Sequence, residues 1–188
     1  MRLRVLTVNV QHDAGDPRRT GLLNRELRRL APDRYRGTTV ATRWPHRTVE
    51  VLGERPPEGS DDHAWTLAVS VQVPDLGELL LIVPTTAWRL DAEASRERQA
   101  DYHDAWAVAG HGAGHTWTVD NPVAAAEIDR LVGQPGHRRR IDYVFVGSAH
   151  AHPQARTRIM SARLVGDHPV DGVWLGDHAG VLADLNLT

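Results

Sequence analysis

Residues 64–86, AWTLAVSVQVPDLGELLLIVPTT, alternate or run apolar on both sides of a Pro-Asp-Leu-Gly break. That pattern spells two strands joined at Pro74 to Gly77, a β-hairpin. Further segments read as strands: RLRVLTVNV at 2–10, GTTVATRW at 37–44, RTVEVLGE at 47–54, IDYVFVG at 141–147, TRIMSARLV at 157–165 and HAGVLADLNL at 178–187. Helical spacing is rarer. TGLLNRELRRLAP at 20–32 places Leu22, Leu23, Leu27 and Leu30 on one face, with Thr20 as the expected cap and Pro32 beyond the end. Residues 89–110, RLDAEASRERQADYHDAWAVAG, predict a second helix, and Ala124 to Leu131 a short third one. Strands outnumber helices and most are hairpin-like, which predicts an α+β fold of packed, mostly antiparallel sheets with a few outer helices.

At 188 residues, 41% hydrophobic and 24% charged, the chain suits a single globular domain spanning 1–188. The net charge of -2 offers no general excess of basic residues for a polyanionic partner. With no cysteine, disulfides, thiolate nucleophiles and cysteine-bound zinc are excluded together. No apolar run approaches the length of a membrane span and the first residues lack a signal-peptide pattern, so the expected location is cytoplasmic.

Polar residues at strand ends carry the chemistry. Asn9 stands between Val8 and Val10; its amide either bonds a neighbouring loop or faces a site, because a buried unsatisfied amide costs about 1–3 kcal/mol. Asp142 follows the run HRRR, where it could pair with Arg139 or Arg140, or serve a site. Asp177 and His178 are adjacent, just ahead of a buried terminal strand. They read either as a cap beside a half-exposed imidazole, or as a general base with a carboxylate that orients it or holds a cation. The TWTVDNP loop offers Trp117, Asp120 and Asn121, with a turn ahead of Pro122 as the plainer reading. His111 and His115, in HGAGH, have zinc-pair spacing, but two intervening glycines disfavour the helix that would align them. GHRRR at 136–140 reads as a solvated turn or a phosphate contact.

In order along the chain, TVNVQ, LAPD, RWP, HTWTVDNP, RRRIDYVFVG and GDHAGVLADL resemble the endonuclease/exonuclease/phosphatase family, whose fold is DNase I-like. The resemblance covers nearly the whole chain and is most specific at RIDYVFV and DHAGV. It implies a four-layer α/β/β/α sandwich and a divalent-metal-dependent phosphoester hydrolase, nuclease- or phosphatase-like, using Mg2+ or Mn2+. By the same resemblance Asn9 and Asp177 contact metal, Asp142 orients the catalytic imidazole, and His178 supplies it. Asn121, Trp117 and Arg140 would line the substrate, a phosphoester that includes nucleic acid among its classes.

The sequence also departs from the family pattern. The family's Gln-Glu strand end and Gly-Asp-Phe-Asn segment are absent, and at the family's Thr-His position Thr86 matches while Ala87 or Trp88 stands where the His would be. Such gaps fit a degenerate paralogue, a shortened chain, or a sequence missing stretches near 33/34 and 100/101. Glu50 and Glu54 are the nearest acids to replace a lost ligand. Two function classes follow: the hydrolase, and a non-catalytic phosphate- or protein-binding descendant of the same fold.

Overall fold

A computed structural model describes residues 1–8, 16–26, 31–35, 38–52, 66–84, 102–147 and 156–187. The chain divides into two compact units: Met1–Glu26 with Arg96–Thr188, and Leu27–Ser95.

The first unit is built around a three-stranded antiparallel sheet of β1 (Arg2–Thr7), β12 (Gly180–Leu187) and β11 (Thr157–Val165), with β12 in the centre. A central strand has neighbours on both edges, and GVLADL is accordingly apolar where it is most enclosed: Val181 and Ala183 are fully buried. They pack with Leu185, Ala162, Val144, Val146, Ala105 and Trp106, and with Leu3 and Val5 of β1. β1 and β12 are in register from Arg2 opposite Asn186 to Thr7 opposite Val181. On the outer face Arg4 bonds Asp184, its direct cross-strand partner, at 2.7 Å. β11 carries a bulge between Ile159 and Ser161, and the extra residue, Met160, is left exposed.

Helix α1 runs Arg18–Glu26. Its start corrects the expectation of Thr20 as cap: the carboxylate of Asp16 accepts from the Arg18 N–H at 2.8 Å and its carbonyl from Arg19 at 2.9 Å. Pro17, with its fixed φ and missing N–H, suits the first turn. The helix predicted over 89–110 is also corrected. Residues 89–101 lie outside the described residues, and Tyr102–Asp104 form a strand, β7, paired with β10 (Phe145–Gly147). Only α2 (Ala105–Ala109) is helical, opened by the Asp104 carboxylate, which accepts from Trp106 N–H. Helical spacing lost to a distant strand partner that local periodicity does not encode.

The short helix expected at 124–131 is present as α3 (Pro122–Val132). Asn121 caps it, Pro122 occupies its first turn, and Gly133 closes it at φ 63, the left-handed region that glycine enters without a Cβ clash. Ala124 and Ile128, one turn apart, are fully buried against Trp117. Enclosing Ile128 contributes about 1.5–3 kcal/mol. β8 (Trp117–Thr118) and β9 (Arg138–Arg139) form a small ladder beside α3.

In the second unit β4 (His46–Leu52), β5 (Thr66–Val73) and β6 (Gly77–Pro84) make an antiparallel sheet. The β5–β6 hairpin falls where its sequence predicts, with Asp75 at φ 63 and Gly77 at φ 91 turning the chain. Leu67, Val69, Val71 and Val73 line one face with Val40 and Trp44. A bulge between Thr48 and Glu50 explains the exposed Val49, again the extra residue. A strand follows the first helix: β2 (Ala31–Tyr35) pairs with β3 (Thr38–Thr42), and it carries neither Gln nor Glu.

Candidate active site

His178 precedes the centre strand β12 by two residues and Asp142 lies in the extended stretch leading to β10. Thirty-six residues apart in sequence, they meet: His178 Nδ1 is 2.8 Å from Asp142 Oδ2. Of the two arginines that could pair with Asp142, Arg140 is taken elsewhere: its Nη1 lies 2.6 Å from Asp104 Oδ2 in an ion pair and its guanidinium stacks on Tyr143 at 4.6 Å. A carboxylate facing Nδ1 holds the proton there and leaves Nε2 as the free base position. Nε2 faces Asp177, whose Oδ2 is 3.7 Å away.

Asp177 is 4% exposed, and its buried Oδ1 has no hydrogen-bond partner among the described residues. Burial pushes its carboxyl above the ordinary range, against the opposing pull of His178. At His178 burial pulls the imidazolium down, but the hydrogen bond and charge of Asp142, with the charge of Asp177, outweigh it and raise the group above the ordinary imidazole value. Both shifts have one sign. A raised folded-state pKa stabilises the fold below the unfolded value and loses that contribution as pH rises through the folded value. In urea unfolding, His178 is therefore expected to contribute a fall in stability from about pH 6.5 upward as it deprotonates, while His137, whose imidazolium burial pulls down, contributes the opposite slope below that value. The Asp142→Asn variant should flatten that slope; an unchanged slope would mean that another histidine carries it.

Trp117 packs behind the imidazole, ring centroids 6.2 Å apart, and meets His137 edge-on at 5.9 Å. It is 6% exposed, and its buried indole Nε1 has no hydrogen-bond partner among the described residues. Thr116 and Thr118, on either side of it, line a cleft of about 510 Å³ together with His115, Arg138, His168 and Trp174. Neither Asp142 nor His178 lines that cleft.

Asn121 lies 5% exposed beside these residues, and its amide is committed within the protein. Nδ2 donates to the carbonyls of Gly176 and Asp177 at 3.0 and 3.1 Å, while Oδ1 caps α3 by accepting from Val123 N–H. Asn9, Thr86, Trp88 and Glu54 lie outside the described residues. Glu50 is an exposed residue of β4 in the second unit. Among the described residues no three His, Cys, Asp or Glu side chains form a group able to hold a metal. The HGAGH segment has a packing role: Gly112 O accepts from the Trp106 indole at 3.1 Å, and a Cβ at Gly114 would lie 2.2 Å from that ring. In GHRRR, Arg138 bonds Asp120 twice, at 2.7 and 2.8 Å.

Sequence reasoning missed Thr116 and Asp104. Thr116 is 2% exposed, and its hydroxyl accepts from the backbone N–H of Ile141 and Asp142. A threonine acting across 26 residues leaves no periodic or spacing signal.

No protein-family model matches the chain, and no curated protein matches it. Among solved structures, the crystal structure of D. rerio TDP2 complexed with single strand DNA product is similar, with a TM-score of 0.68 at 15% identity. The match covers 98% of this chain and 99% of that one. The two folds are alike. The α+β class with several antiparallel sheets stands on that likeness and on the strand pairings. No helix among the described residues is long and apolar enough to cross a membrane.

Proposed function

We propose that this chain is a divalent-metal-dependent phosphodiester hydrolase of the DNase I-like kind, a four-layer α/β/β/α sandwich forming one domain and acting in the cytoplasm. The observation that carries the reading is the 2.8 Å contact between Asp142 and His178, two residues joined by nothing local in sequence and both drawn from the motifs of the resemblance. Similarity to TDP2, a protein solved with single-stranded DNA, supports nucleic acid as a substrate class.

In this mechanism Asp142 fixes the imidazole through Nδ1, and Nε2 takes the proton of the attacking water. Asp142 then steadies the imidazolium so formed. Asp177 fits a cation, because its buried Oδ1 has no hydrogen-bond partner among the described residues and its carboxyl is held up by burial. Asp177, with Asn9 as a second oxygen donor, would hold Mg2+ or Mn2+, which favours oxygen ligands and keeps several waters. The cation would supply Lewis-acid stabilisation of charge on the phosphoryl oxygens. Trp117 and Arg140 would border the substrate from the side of the imidazole.

Hydrolysis of bis(4-nitrophenyl) phosphate and of single-stranded DNA, with Mg2+, Mn2+ or EDTA, tests the reading. Metal-dependent turnover that Asp177→Asn lowers by about 100-fold or more supports it. Turnover indifferent to EDTA and to that substitution overturns it. The absence of the family's Gln-Glu and Gly-Asp-Phe-Asn segments favours the second reading, a non-catalytic phosphate- or protein-binding module, which phosphate binding without turnover would select.

A further inference from the structure

Asp142 and His178 approach from different parts of the chain, and short contacts of that kind persist only when the backbones beneath them are fixed. The segment 116–121 reaches both. Thr116 Oγ1 accepts from the N–H of Ile141 at 3.0 Å and of Asp142 itself at 3.2 Å. The Thr116 carbonyl accepts from Ala179 N–H, the residue after His178, at 2.8 Å, and its own N–H donates to Arg139 O at 2.9 Å. Asn121 completes the hold from the other side, donating to Gly176 O and to Asp177 O, the residue before His178. His178 is thus gripped through both sequence neighbours, and its partner carboxylate through its own peptide. Thr116 and Asn121 are among the few buried polar side chains of the described residues, at 2% and 5% exposure.

We propose that Thr116 and Asn121 are positioning residues: a clamp that sets the approach of Asp142 to His178 Nδ1, with neither side chain devoted to substrate. Asn121 has both amide protons and its oxygen engaged, which leaves it nothing to offer a ligand without releasing the loop. The Thr116 hydroxyl spends its acceptor capacity on two peptide N–H groups. Any consequence for turnover rests on the hydrolase reading; the clamp itself is visible on the imidazole.

The experiment therefore reads the imidazole first. In protein labelled with 15N at histidine, the Nδ1 proton held by Asp142 should give a low-field signal with slowed exchange, identified by its loss in His178→Ala. Thr116→Val keeps the side-chain shape and removes the acceptor; Asn121→Ser retains a hydroxyl able to cap α3 but too short to reach the carbonyls of 176 and 177. Both are expected to speed exchange of that proton at least about tenfold, or to erase the signal, while Thr116→Ser restores it. On the hydrolase reading kcat falls by about tenfold or more with KM little changed, the mark of misplacement rather than lost binding. A folded Thr116→Val or Asn121→Ser with the wild-type Nδ1 signal overturns the clamp. If Thr116→Val does not fold, as circular dichroism would show, Asn121→Ser decides. A chain without phosphodiesterase activity but with the expected exchange changes retains the clamp and loses the hydrolase reading. Turnover that persists beside an unaltered signal does the reverse.

Discussion

His178→Ala is expected, on the proposed hydrolase reading, to lower kcat for phosphodiester hydrolysis by about 10²–10⁴-fold, the usual contribution of a positioned general base. KM should change little, because the imidazole acts on the attacking water and not on the bound phosphodiester. Asp142→Asn tests the same unit by another route. An amide can offer Nδ1 an N–H in place of a lone pair, which favours the wrong tautomer and withdraws the charge that steadies the imidazolium. A loss comparable to that of His178→Ala is expected, and the double variant should be scarcely worse than either one, since residues acting as a unit are not additive. Steady-state kinetics at saturating metal settles it: full multiplication of the two losses would show that the residues act separately. Stability measured beside activity guards against trivial unfolding. The imidazole side chain is only partly exposed, at 12%, so its removal opens some space next to Trp117, but no backbone partner is lost.

The largest effect on stability is expected at Gly180, the first residue of β12. A Cβ placed there would lie 2.4 Å from Thr7 O, 2.9 Å from Val8 Cβ and 3.2 Å from Val165 Cγ2. The first of these is backbone, held in the β1–β12 ladder beside the Thr7–Val181 pair, and it cannot swing aside as a side-chain tip would. Gly180→Ala must therefore part the strands at the end nearest His178. A cost of about 3 kcal/mol is expected, in the upper range for overpacking. For a chain of this size that corresponds to a fall of roughly 6–12 °C in Tm. Gly21→Ala is the matched control. It lies in α1 with nothing within 4 Å of the added methyl, and alanine there should stabilise by about 0.5–1 kcal/mol. Scanning calorimetry of the two variants should move the midpoint in opposite directions. Equal midpoints would mean that β1 and β12 can separate at no cost.

The contrast between these glycines shows which parts of the fold the sequence makes legible. The β5–β6 hairpin is readable because everything that specifies it is local: alternation on both strands and a Pro-Asp-Leu-Gly turn between them. The same holds for α3, whose cap, first-turn proline and closing glycine stand within a dozen residues. The helix expected through 102–104 fails because β7 answers to Phe145–Gly147, over 40 residues away. The start of α1 was misplaced by a competition between two good caps, Asp16 and Thr20, that Pro17 decides for the earlier one. At the site, Asp142, Asp177 and His178 are visible through motif order, whereas Thr116 and Asp104 act by contacts that no spacing rule connects to them. Asn121 lies between these cases: the turn chemistry of Asp-Asn-Pro announces the cap of α3, and says nothing of the carbonyls of Gly176 and Asp177.

The placement of β12 between β1 and β11 sets the order in which this molecule can be assembled. A ribosome delivers β1 first and β12 some 170 residues later, yet β12 is the strand to which both of its neighbours in that sheet are bonded. Until it emerges, β1 and β11 lack the partner they share among the described strands, and Val181, Ala183 and Leu185 are missing from the core they complete. Pairing at such sequence separation pays its loop-closure entropy before any contact repays it, so folding is expected to be slow and to finish late. A nascent chain halted before Gly180 would carry open strand edges, the surface that chaperones shield and aggregates recruit. Because Asp177 and His178 directly precede that late strand, closing the three-stranded sheet and bringing His178 to Asp142 are one event.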